Sequence, residues 1–188
     1  MKLIIIDNND SFTMNLAEYV FQISGTLPDV VSYKNIKKFD FSEYTHVIIS
    51  PGPGLPEDFS ENFYFLSTFA KSKKILGVCM GMQIIAVFFG AKLANLQCPL
   101  HGAVSEILSH HKDILFENIN IPCKVGRYHS WVIDSETLPD CLMVTSALDD
   151  GTIMSIAHKQ FEVRGVQFHP ESIITVDGKK MLKNWLSR

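Results

Sequence analysis

Three separated segments of this 188-residue chain hold the residue types that covalent catalysis needs. The first is Gly77-Val78-Cys79-Met80-Gly81, a G-x-C-x-G run between a strand-like and a helix-like pattern. A cysteine so placed sits on a sharp strand-to-helix turn, and glycines on both sides let strand and helix approach. The helix N-terminus then lies beneath the sulfur, where its partial positive charge favours the reactive thiolate. The second segment is Gly165-Val166-Gln167-Phe168-His169-Pro170-Glu171. In an extended chain, residues two apart share a face. Glu171 is therefore expected to orient the imidazole of His169, and Pro170 keeps the segment out of a helix. Nucleophile, base and orienting carboxylate form a triad. The third is Ser50-Pro51-Gly52-Pro53-Gly54. A turn of this composition can aim a backbone N–H at an oxyanion with no side chain in the way. Each segment alone has a plainer reading: a buried structural cysteine, an incidental His-x-Glu, a rigid connector. Their co-occurrence in one chain carries the chemical one.

The elements that must position these segments alternate. Residues 2–7 read as an aliphatic strand. Ser11 is placed to cap a helix in which Phe12, Leu16, Tyr19, Val20 and Ile23 recur at helical spacing, ended by Gly25 and Pro28. Strands are expected at 30–33, 46–50 and 74–79. Phe59, Phe63, Leu66 and Ala70 mark a second helix, and residues 80–89 a third. Such alternation predicts βαβ units, hence an α/β fold with a central, mostly parallel sheet and helices on both faces. The second half turns to short β-like runs at 104–108, 123–128, 142–145 and 153–158, with Asp149-Asp150-Gly151 as a hairpin turn between the last two. A strand at 166–169 and a helix at 178–186 close the chain. A smaller, partly antiparallel sheet is therefore expected beside the main one. With no repeat, linker or break in composition, residues 1–188 read as one domain.

Composition narrows the partners. At 46% hydrophobic and 20% charged, the chain matches globular proteins and excludes disorder, collagen and coiled coil. Seventeen basic against twenty acidic residues give a net charge of −3, so no basic field exists to hold nucleic acid. Residues 75–91 are nearly all apolar, but the run falls short of ~20 residues and Gln83 interrupts it, which argues against a membrane span. Without a signal-peptide pattern, the cytoplasm is the expected compartment. Cys79, Cys98, Cys123 and Cys141 lie far apart with no C-x-x-C pair, so neither a zinc site nor a disulfide framework is expected. His110 and His111 read as solvated loop residues, and no metal is expected. His129 ranks below His169 as a base because no carboxylate stands two residues away. Arg127 and Tyr128 read as packing and hydrogen-bonding residues. The Phe59, Phe63 and Phe69 stripe and the face from Met181 to Trp185 read as core. Asp10, Ser11 and Thr13 read as a helix cap.

On these residues the chain resembles the class I (triad) glutamine amidotransferases. Within them it resembles the small glutaminase subunit, component II, of anthranilate synthase and of aminodeoxychorismate (para-aminobenzoate) synthase. The likeness rests on Asp7-Asn8-Asn9-Asp10-Ser11-Phe12-Thr13, on residues 50–54 and 77–83, on His101-Gly102, on Arg127-Tyr128-His129-Ser130 and on residues 165–172. The resemblance implies a flavodoxin-like sheet, and as an alternative to the helix cap it places Asp10, Ser11 and Thr13 at an interface and site rim. It implies that Cys79 attacks the carboxamide of L-glutamine, with the oxyanion against backbone N–H groups of Gly52, in the loop that ends at Gly54, and of Met80. His169 would protonate the leaving ammonia and then activate water, held by Glu171. Gln83, Ser130 and Trp131 would contact glutamine. The ammonia would pass to a chorismate-using synthase large subunit, on the path to tryptophan or folate. No cofactor is implied in this subunit, magnesium belonging to the synthase partner. Three positions depart from the family's habit: Trp131 for an aliphatic residue, Ala103 for a lysine after His-Gly, and Met82 for a frequent histidine. Two rivals stand beside this reading: a stand-alone γ-glutamyl cysteine hydrolase, and a glutamine-binding regulatory subunit without turnover.

Overall fold

Aliphatic runs from the first half build the parallel strands of the main sheet. The structure, a computed structural model, describes residues 2–187, apart from the side chains of Ser109 and His110. The first half contributes β1 (Leu3–Asp7), α1 (Thr13–Ser24), β2 (Asp29–Ser32), β3 (His46–Ile49), α2 (Ser60–Phe69), β4 (Lys74–Val78) and α3 (Met80–Phe89). Every residue of β3 and β4 is buried, as central strands covered on both faces must be. The period-2 alternation splits the core into two layers. Ile4, Ile6, Val47 and Ile49 pack with Phe65 and Leu66 of α2 and with Ile84 and Ile85 of α3. Leu3, Ile5, Ile48 and Leu76 pack on the other face with Leu16 and Val20 of α1.

The second half adds β5 (Leu93–Asn95), β6 (Ala103–Ile107), β7 (Ser109–His110), β8 (Cys123–Arg127), β9 (Trp131–Ile133), β10 (Leu142–Ala147), β11 (Ile153–His158), β12 (Val163–Val166) and α4 (Gly178–Leu186). Met181, Leu182 and Trp185 of α4 join the α1 layer, as their spacing predicts. The main sheet has eight strands in the order β2-β1-β3-β4-β12-β11-β10-β7. It is parallel from β2 to β12 and antiparallel from β12 to β7. The antiparallel strands thus largely continue the main sheet, and two ribbons, β5-β9 and β6-β8, stand apart. The placement of β12 matters most. It pairs in parallel with β4, Gly165 opposite Gly77 and Val166 opposite Val78. The chains leaving these two strands therefore emerge side by side at the carboxyl edge, where α/β sheets build their sites.

Several local expectations are corrected. Ser11 does not cap α1. Asp7 Oδ1 instead accepts the Asn9 N–H at 3.0 Å and the Thr13 hydroxyl at 2.8 Å, and Asp10 Oδ1 accepts the Phe12 N–H at 2.8 Å. Phe59 precedes α2, in a 3-10 turn begun by Pro56. Phe63 and Phe69 are half-buried, while Phe65 is fully enclosed. The strand expected at 166–169 ends at Val166. Residue 110 belongs to β7 rather than a loop, its side chain lying outside the described residues, whereas His111 is exposed beyond the strand as expected, its N–H donating to the Thr145 carbonyl. The turn at 149–151 forms as expected, Leu148 and Thr152 bonding across it. Among the described residues no helix is long and apolar enough to cross a membrane.

Candidate active site

Cys79 follows β4 directly, its N–H donating to the Val166 carbonyl at 2.8 Å, and α3 starts at the next residue. Its backbone stands at φ 52°, ψ −103°, a conformation that L residues seldom adopt and that surrounding packing must hold. The flanking glycines are obligatory on steric grounds. A Cβ on Gly77 would come within 2.4 Å of the Gly81 backbone, and one on Gly81 within 2.2 Å of the Ile49 carbonyl.

His169 and Glu171 form a buried pair, Nδ1 to Oε1 at 2.7 Å. The contact agrees with the sequence, but its cause does not. The segment is a turn rather than extended: the Ser172 N–H and the Thr175 hydroxyl both close on the His169 carbonyl. The start of α4 presses on this turn so closely that a Cβ on Gly178 would overlap the Pro170 carbonyl. The rings of Phe12 and Tyr128 meet the imidazole at 5.0 and 4.9 Å. Nε2 makes no hydrogen bond of regular geometry, yet the Cys79 sulfur is near enough to act on the ring. Burial pushes the imidazole down, but Cys79 and Glu171 on its two sides outweigh this and raise it to about 10.

Beside the sulfur lies a cleft of about 290 Å³. Gly52, Gly54, Cys79, Met80, Gln83, Ser130 and Trp131 all line it, with Pro53, Tyr128 and His129. His169 and Glu171 are buried and do not form its wall. The volume is ample for a ligand of amino-acid size. The 50–54 loop is clamped by a residue that sequence reasoning gave no such role. Asn8 donates from its N–H to Ser50 Oγ and from Nδ2 to the Ser50 carbonyl, both at 2.9 Å, and accepts from Asn62 Nδ2 at 2.9 Å. Gly52 lies so close that an added Cβ would stand 2.9 Å from Asn8 Cβ.

Gln83 spends its amide nitrogen inside the protein, on the Trp131 carbonyl at 2.8 Å and on Gln167 Oε1 at 3.1 Å. His129 also has both ring nitrogens engaged. Nε2 accepts from Arg127 Nε at 3.0 Å, and Nδ1 donates to the Trp131 carbonyl at 3.0 Å. Burial, with the Arg127 guanidinium beside it, holds His129 down to about 4. It is neutral at physiological pH and has no nitrogen to spare as a base. Met82 is core, wedged under Gly165, and Ala103 opens β6 opposite Arg127. All four cysteines are free, and burial pushes the Cys123 thiol up to about 11. Among the described residues no three His, Cys, Asp or Glu side chains are grouped to hold a metal ion.

Comparison with known proteins places the chain in one family. A family model for class-I glutamine amidotransferases matches residues 4–188. The chain is 38% identical over 190 residues to the aminodeoxychorismate/anthranilate synthase component 2 of Bacillus subtilis, covering 98% of this chain and 95% of that one. It is 38% identical over 196 residues to the aminodeoxychorismate synthase component 2 of Klebsiella aerogenes, covering 99% and 100%. The crystal structure of a glutamine amidotransferase from Thermotoga maritima superposes with a TM-score of 0.79 at 15% identity, covering 100% of this chain and 97% of that one, which shows a shared fold.

Proposed function

The chain belongs to the class-I glutamine amidotransferases, and we propose that it hydrolyses L-glutamine through a Cys79 thioester and hands the ammonia to a chorismate-using synthase subunit. The observation that carries this is the buried His169–Glu171 pair set beside a cysteine on a strained elbow, over an amino-acid-sized cleft.

In this reading the Cys79 proton rests on the raised His169 imidazole, and the sulfur attacks the carboxamide carbon. The developing oxyanion meets the N–H groups of Gly52 and of Met80, the latter in the first turn of α3 and so free of an intrahelical partner. His169 then gives its proton to the departing nitrogen, and ammonia leaves. A water loses a proton to the same ring and attacks the thioester, the sulfur leaves, and glutamate is released with the ring protonated again. Glu171 holds the ring's orientation and favours its charged form. The α-groups of glutamine find complementary edges. Both Nε2 hydrogens of Gln83 are committed, so it offers the cleft an acceptor, suited to the α-ammonium. The carbonyls of Ser130 and Trp131 already accept from Leu96, Gln83 and His129, so this edge offers donors, suited to the α-carboxylate.

Ammonia released to water becomes ammonium, which is not nucleophilic, so delivery to an acceptor needs an enclosed path. Ile173 and Val176, just beyond Glu171, are 92% and 76% exposed, an apolar pair that a partner subunit would cover. No cofactor enters these steps; magnesium is assigned to the synthase partner. The test is glutamate release by this subunit alone and with candidate synthase subunits. Release that requires Cys79 and rises with one partner supports the proposal. Equal rates with and without every partner remove the transfer role.

A further inference from the structure

Gln167 takes no part in the steps above, yet it is fully buried and its amide ends at the nucleophile, Nε2 lying 3.7 Å from Cys79 Sγ. The sense of that amide is dictated from a distance. A backbone carbonyl can only accept. The Trp131 carbonyl faces an amide atom of Gln83 at 2.8 Å, which must therefore be the nitrogen. The same nitrogen faces an amide atom of Gln167 at 3.1 Å, which must be the oxygen. What Gln167 turns to the sulfur is then an N–H. The Trp131 carbonyl also fixes His129 with its proton on Nδ1, leaving Nε2 to accept from Arg127. One acceptor-only atom thus sets every amide and ring from Arg127 to Gln167.

We infer that Gln167 is a further catalytic residue, its Nε2–H donating to the sulfur of Cys79 and holding the thiolate ready before glutamine arrives. The inference rests on the reading of Cys79 as nucleophile. No proton changes hands at Gln167. The thiol proton goes to His169, the electron pair stays on sulfur, and the amide supplies a hydrogen bond that strengthens as the sulfur ionises. His169, with Glu171 behind it, faces the sulfur from the segment after β12, and the first turn of α3 faces it from below. Arg127 and neutral His129 act only through the amide chain.

Two nearly isosteric variants test this. Gln167→Met keeps the bulk without the donor, and Gln167→Glu puts an acceptor against the sulfur. Alkylation by iodoacetamide, followed on the Cys79 peptide by mass spectrometry, reads sulfur reactivity without substrate. Gln167→Met is expected to slow alkylation roughly tenfold at neutral pH and to displace its pH profile upward by about one unit, and Gln167→Glu to exceed both effects. A Gln167→Met profile superimposable on that of the wild type overturns the inference. If Gln167→Met does not fold, the wild-type protein answers by NMR. One Gln167 side-chain amide proton should move downfield as the sulfur ionises, and an unresponsive pair overturns the inference. Cys79→Ala separates the two ideas. Glutamate release surviving in it ends the functional reading, whereas an inactive Cys79→Ala beside a normal Gln167→Met ends this inference alone.

Discussion

Two buried histidines beside the sulfur and its cleft titrate in opposite senses, and each gives the folded chain a pH response. His169 is raised from 6.5 to about 10 in the folded chain, so it holds a proton that the unfolded chain has released above pH 6.5. Its stabilising contribution is complete below about 6.5 and drains away as pH rises toward 10. His129 is lowered from 6.5 to about 4, so its contribution is complete above 6.5 and is lost as pH falls toward 4. Taken by themselves, the two histidines favour a stability maximum near pH 6.5. Thermal unfolding across pH 4–10 checks this: His129→Gln should flatten the acid slope and His169→Gln the alkaline one. A wild-type curve that is flat on both sides would show that neither histidine keeps its assigned charge. At this scale the sequence was readable where residue type limits chemistry. Cys79, His169 and Glu171 could be picked out because few roles suit them at a glycine-flanked turn and a His-x-Glu. Asn8 and Gln167 could not, because an amide suits any polar site and only three-dimensional placement gives it a task.

Elements decide whether those residues meet, and here glycines and one amide carry the burden. Gly81→Ala would drive a methyl group into the Ile49 carbonyl and separate α3 from β3. The expected loss is about 3 kcal/mol or more, with activity falling alongside. Gly151→Ala, a positive-φ turn glycine with nothing within 4 Å, should cost only about 1 kcal/mol and leave activity unchanged. Chemical denaturation of the two variants makes the comparison, and similar losses would contradict the steric account. Asn8→Ala would strip partners from buried Ser50 and Asn62 and free the 50–54 loop. A loss of about 2 kcal/mol is expected, with kcat falling and KM little changed, because the loop is assigned to the oxyanion rather than to the α-groups. A raised KM with kcat intact would move Gly52 out of the oxyanion site. The periodic helices and aliphatic strands were legible in advance. The short strands β5, β7 and β9 were not, because two or three residues carry no period and pairing across the fold alone defines them. The turn at His169 was missed for a related reason: Pro170 excludes a helix but does not choose between an extended chain and a turn closed by Thr175.

At the scale of the whole molecule, the residues proposed as the triad, Cys79, His169 and Glu171, lie with the cleft at the carboxyl edge where β4 and β12 run together, and an apolar pair follows Glu171. Ile173 and Val176 belong to the turn that carries Glu171, and the Ser172 N–H and Thr175 hydroxyl of that turn donate to the His169 carbonyl. A subunit seated on the two apolar side chains would therefore press on the loop that positions the base. That arrangement predicts weak glutaminase activity in the isolated chain and a rise when the synthase subunit binds. The double variant Ile173→Glu, Val176→Glu should retain the basal rate, since neither side chain is buried or bonded to the triad, while losing most of the activation. Affinity for the partner should fall with it, by tenfold or more if the pair lies at the centre of the contact. Glutamate release titrated with the synthase subunit, together with binding measured in the absence of glutamine, separates the possibilities. A variant that binds and is activated normally would move the interface away from this edge. One that binds normally but is not activated would place these side chains in the coupling rather than in the docking.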